Sequence, residues 1–140
     1  MGKYRKPRRS RRSGVCKDEE SKAKALQTAW RFATDKQETL KLDDARKIVA
    51  NPPICPYCLI KIPYRDISID HLQPRSRGGS SKPDNLIFCD KLCNTAKGNL
   101  TADEFTALME FLRGHLIMKA SVLQRLVAAG RVFRKYGRGR

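Results

Sequence analysis

The chain lacks any apolar run near the roughly 20 residues a bilayer-spanning helix needs, so no membrane span is expected. Its basic start is not followed by the apolar stretch of a secretory signal. Histidine is scarce, at two residues, and acids are outnumbered, 14 Asp+Glu against 30 Lys+Arg, for a net charge of +16. Acids are absent from residues 1–14, which carry seven basic residues, and from 131–140, which carry five. Between these ends the charges nearly balance. A protein this basic seeks a polyanion, nucleic acid being the usual one. At 140 residues the chain is long enough for one domain, or a small domain with appendages.

The basic start, with Arg8, Arg9, Arg11 and Arg12 among its cations, reads as a disordered arm that orders on a polyanion. A solvated tail or a targeting address has the same composition. Asp18 can cap a helix running to about 32–34, in which Leu26, Ala29, Trp30 and Ala33 form one stripe. A second short helix opens at Leu42-Asp43-Asp44 and is stopped by Asn51-Pro52-Pro53. Residues 54–99 are dense in Pro, Gly, Asn and Cys, with short strand-like runs at Ile67-Ser68-Ile69 and Leu86-Ile87-Phe88. Such a stretch buries little apolar surface and needs a staple. Thr101 and Glu104 then form a capping box ahead of a stripe through Phe105, Leu108, Met109, Leu112 and Leu116. Gly114 is placed to interrupt that stripe, and a last helix is expected over 119–135.

The staple is offered by cysteine. Without an export signal the five cysteines are expected as thiols. Cys55 and Cys58 form a C-x2-C pair, and Cys89 and Cys93 a C-x3-C pair, with 30 residues between the pairs. Two such pairs can place four thiolates about 2.3 Å from one Zn²⁺. Four sulfurs leave no open position, so this zinc is expected to be structural. Cys16 has no partner at a recognisable spacing.

Between the pairs stands Asp70-His71-Leu72-Gln73-Pro74-Arg75-Ser76-Arg77-Gly78-Gly79, followed by Asp84-Asn85-Leu86 and then Cys93-Asn94-Thr95-Ala96-Lys97-Gly98. Strand neighbours point to opposite faces, but if the strand ends at Asp70 and His71, both can border one site. Asp70 and Asn94 offer oxygen ligands for a hard divalent cation. A histidine has an unperturbed pKa of about 6.5, so His71 can be neutral at pH 7 and accept a proton from water. Arg75, Arg77 and Lys97 can hold phosphate oxygens, and Gly78-Gly79 reads as a turn needing positive φ. Asp84 and Asp90 read as turn or cap residues, with metal ligation the alternative. His115 reads as structural or exposed.

The pattern D-H-x-x-P-x-S-x-G-G, then D-N-L, then C-N-x-x-K-G, framed by cysteines, resembles the HNH endonucleases, the ββα-metal nucleases. It is closest to phage and CRISPR-type modules whose last position is Asn. The resemblance covers about 54–99. It implies a small α+β fold, a ββα-metal finger with a structural four-cysteine zinc, flanked by α-helices and basic disordered termini. The chain then divides into a basic arm at 1–14, a helical segment at 15–53, the HNH module at 54–99, C-terminal helices at 100–135 and a basic tail at 136–140.

By the same resemblance His71 matches the general base, Asp70 and Asn94 the ligands of the catalytic metal, and Asn85 the residue that braces the loop. With two histidines no three-His site can be built, which favours Mg²⁺ or Mn²⁺ on Asp70 and Asn94. The implied activity is hydrolysis of DNA phosphodiester bonds, nicking or cutting both strands by a one-metal mechanism, to 5′-phosphate and 3′-hydroxyl ends. One site cuts one strand, so a double-strand break needs a homodimer, two visits, or a partner in a larger nuclease or packaging complex. The implied setting is intracellular, the cytoplasm of a bacterial or phage-infected host. The alternatives are a non-catalytic zinc-stapled module that binds nucleic acid, and a phage packaging or assembly subunit. One departure from the family stands out: its second cysteine pair is usually C-x2-C. Here Cys93 is in register with Asn94, and Cys89 falls one residue early.

Overall fold

Asp18 accepts the Ser21 backbone N–H at 2.6 Å and so opens α1, Glu19–Ala33. The computed structural model describes residues 18–136. Cys16, the basic arm with Arg8, Arg9, Arg11 and Arg12, and residues 137–140 lie outside the described residues. After α1 come α2 (Leu42–Ala50), β1 (Ile67–His71), β2 (Leu86–Asp90), α3 (Lys91–Lys97), α4 (Ala102–Arg113) and α5 (Leu116–Tyr136). The Thr101–Glu104 capping box forms as expected. Gly114 ends α4, and the last helix begins three residues earlier than expected, at Leu116.

β1 and β2 form an antiparallel pair in which Ser68 opposes Cys89, Asp70 opposes Ile87 and His71 opposes Leu86. This hairpin separates two small cores. On one face Ala23, Leu26 and Ala45 of α1 and α2 are buried with Phe88, whose ring lies 5.4 Å from that of Trp30. On the other, Cys55, Tyr57, Ile62, Ala96, Phe105 and Met109 form the larger core, closed by Leu123, Leu126 and Val127 of α5. The Tyr57 and Phe105 rings meet edge to face at 5.1 Å. α5 lies so close to α3 that a Cβ on Gly130 would stand 2.0 Å from the Thr95 carbonyl oxygen. Only glycine fits there.

Candidate nuclease and metal site

The Cys55–Cys58 turn is closed by Leu59 N–H donating to the Cys55 carbonyl at 2.9 Å. Leu59 adopts φ 62° there. The turn brings the sulfurs of Cys55 and Cys58 to within 4.8 Å of each other and of the Cys93 sulfur on α3. The neighbouring Cys93 thiol, and then the Asp90 backbone N–H that donates to the Cys55 sulfur at 3.4 Å, hold its pKa down to about 5. A sulfur ringed by donors is a ready thiolate, the form that binds metal. Two soft sulfurs on a tight turn and a third on α3 fit zinc.

Cys89 is not among the gathered sulfurs. It was expected as the fourth ligand, but β2 runs through it and pairs it with Ser68. The side chain is wholly buried in the larger core, where burial raises its pKa.

The same strand register separates Asp70 from His71. β1 does not end before them but includes both, so they leave the strand on opposite faces. Asp70 faces α3. Its carboxylate is 5% exposed, accepting the Tyr57 hydroxyl at 2.6 Å and the Lys97 ammonium at 3.1 Å. Lys97 also donates to the His71 carbonyl at 2.9 Å. It is therefore a buried structural cation, not the phosphate-holding side chain expected from the sequence. Asn94, one turn before it on α3, donates to Ser68 Oγ at 2.7 Å and the Ile69 carbonyl at 3.2 Å. The Asp70 carboxylate is engaged by Tyr57 and Lys97, so Asp70 and Asn94 as arranged do not fit a hard cation.

His71 faces α1. The Ala33 backbone at the end of that helix lies beside its ring. Nε2 is buried without a hydrogen-bond partner. Burial, then the Arg75 charge, lowers its pKa, against opposing pulls from Asp70, Ala33 and Asp35. The shift favours the neutral ring.

Asn85 spans the loop that follows. Its Oδ1 accepts Gln73 N–H at 2.9 Å, and its Nδ2 donates to the Gln73 carbonyl at 3.0 Å and the Ser80 carbonyl at 2.7 Å. Gly78 takes φ 82°, and a Cβ on Gly79 would lie 1.8 Å from the Gln73 carbonyl oxygen. Arg75 pairs with Asp35 at 3.1 Å, and Ser81 donates to the same carboxylate at 2.7 Å. Arg77 is held by both oxygens of Glu104, whose pKa falls to about 2 under that guanidinium and the Thr101 backbone N–H.

Asp35, Tyr57 and the Ala33 carbonyl were not singled out from the sequence. Asp35 and Ala33 lie some 35 residues before His71 along the chain, at a helix end with no motif to mark them. Tyr57 sits inside the C-x2-C turn, but nothing local reveals that its hydroxyl reaches Asp70.

No helix among the described residues is long and apolar enough to cross a membrane. No curated protein matches the chain. A match to a family model covers residues 55–100, from the first cysteine of the turn to just beyond α3, and its description is HNH endonuclease. The hairpin, the cysteine turn and α3 are therefore an HNH endonuclease domain, set between helices that the match does not cover.

Proposed function

We propose that this chain hydrolyses DNA phosphodiester bonds, with His71 as the general base that deprotonates the attacking water. The observation that carries the reading is the state of the His71 ring. A buried ring nitrogen without a partner costs about 1–3 kcal/mol, and such orphans call for a functional explanation. Here Nε2 is the orphan. Catalytic hydrogen bonds often form only when substrate binds, and the water to be activated reaches the buried Nε2 only once substrate uncovers it. A base needs the neutral tautomer with Nε2 unprotonated, and the burial that lowers the His71 pKa favours the neutral ring.

Asn85 holds the two ends of loop 73–80 together, and with it the position of Arg75 beside His71. Arg75 and Arg77 are exposed and face DNA phosphates by exchanging their carboxylate partners, Asp35 and Glu104. Cleavage leaves 5′-phosphate and 3′-hydroxyl ends, as in the family it resembles. No step is assigned to a cation on Asp70, because Lys97 and Tyr57 engage that carboxylate.

That engagement also favours a second reading, a zinc-stapled module that binds nucleic acid without cutting it. A plasmid-nicking assay with added Mg²⁺ or Mn²⁺ separates the two. The nuclease reading expects nicking by the wild type and a loss of ~10²–10⁴-fold in His71→Ala, with DNA affinity nearly unchanged. Equal nicking by both proteins would remove His71 from the chemistry. No nicking by either, with DNA still bound, would favour the silent module.

A further inference from the structure

We propose that Asp90, not Cys89, is the fourth ligand of the metal held by Cys55, Cys58 and Cys93. The inference concerns the cysteine site alone and does not depend on whether the chain cuts DNA.

Three sulfurs supply three corners of a site that zinc fills with four ligands. The fourth must come from a residue beside them. Cys89 is buried in the same core as Cys55, but its sulfur stays outside the 4.8 Å group. Asp90 follows it, where the strand gives way to α3, and its backbone N–H donates to the Cys55 sulfur at 3.4 Å. Position 90 therefore borders the metal site directly.

The two halves of the site also share a layout. In the first, the backbone of Tyr57 and Cys58 lies beside the Cys55 sulfur, and Cys58 is itself the second ligand. In the second, Asp90 Oδ1 accepts the backbone N–H of Leu92 at 2.8 Å, and Cys93, three residues on, is the second ligand. Asp90 thus stands in the second turn where Cys55 stands in the first. The spacing agrees: counted from Asp90, the second pair has the two-residue gap of the first. Its other oxygen, Oδ2, takes no hydrogen bond among the described residues. Carboxylate oxygen is an ordinary zinc ligand at about 2.0–2.2 Å. The carboxylate lies outside the 4.8 Å sulfur group, so it has to turn toward the sulfurs when the ion binds.

The test is Co²⁺ substitution in the full-length protein, read by visible absorption, with zinc affinity measured by chelator competition. Tetrahedral Co²⁺ absorbs at longer wavelength with each thiolate added. The wild type should give a three-thiolate spectrum that Cys89→Ala leaves unchanged. Asp90→Cys should move the band to longer wavelength at the same stoichiometry. Asp90→Asn keeps a good helix cap but loses the anionic ligand, and should weaken zinc binding at least about tenfold. A shift to shorter wavelength in Cys89→Ala would restore Cys89 as the ligand and overturn the proposal. So would unchanged zinc affinity in Asp90→Asn, which would leave the fourth corner to water.

Discussion

The Lys97 ammonium lies 3.1 Å from the Asp70 carboxylate, with side chains only 1% and 6% exposed. It ties helix α3, which carries Cys93, to the strand that carries His71, since Lys97 also grips the His71 carbonyl. A pair this deep gains from mutual attraction and from full hydrogen bonding, and loses heavily if one partner goes.

Lys97→Met should therefore destabilise the fold by about 3–5 kcal/mol, because Asp70 would keep only the Tyr57 hydroxyl. Adding Asp70→Asn should recover part of that loss, since no buried charge then remains unpaired. Urea denaturation of both single variants and the double variant measures the coupling. Strictly additive effects would mean that the pair contributes nothing as a pair.

His71 sets a pH dependence. Its folded-state pKa lies below the unfolded value of about 6.5, chiefly through burial and then through Arg75. Between those two values the unfolded chain binds more protons, so stability rises with pH across that window. The contribution is fully present above about 6.5 and is lost as pH falls through the folded value. His71→Gln should flatten that part of the stability profile. The acid limb of nicking by the wild type should likewise fall below about 6.5, and a limb above it would contradict a depressed base.

Loop 73–80 is predicted to be intolerant of added volume. Gly79→Ala would drive a methyl to 1.8 Å from the Gln73 carbonyl oxygen, and the backbone that Asn85 braces would have to shift. We expect nicking to fall sharply while far-ultraviolet circular dichroism stays unchanged, because the loop lies outside the α-helices and strands. Wild-type nicking in this variant would mean that the loop does not position the site.

The N-terminal basic arm lies outside the described residues, but its charge alone makes a prediction. Binding to duplex DNA falls with salt at a log–log slope of about −0.9 per phosphate neutralised. Deleting residues 1–14 removes seven cations, and the slope should flatten by roughly 2–5 units. Affinity should weaken similarly across unrelated sequences, since phosphate contacts carry no base information. Coincident slopes for full-length and truncated proteins would show that the arm does not touch DNA.

What the sequence determined by itself was local. Asp18 with Ser21, Thr101 with Glu104, and the Asn51-Pro52-Pro53 stop mark helix ends because caps and breakers act within one turn. The C-x2-C turn and the D-H, D-N and C-N-x-x-K-G segments announced an HNH domain because that chemistry is written in short spacings. Tertiary structure decided which atoms those segments present. One residue of strand register sends Asp70 to Lys97 and Tyr57, and its neighbour His71 to Ala33. The same register sends Cys89 into the core and leaves Asp90 at the start of α3, its backbone N–H on the Cys55 sulfur. A pleated strand turns each successive side chain to the other face, so a partner dozens of residues away chooses each one's role. That choice depends on packing, which no local spacing records.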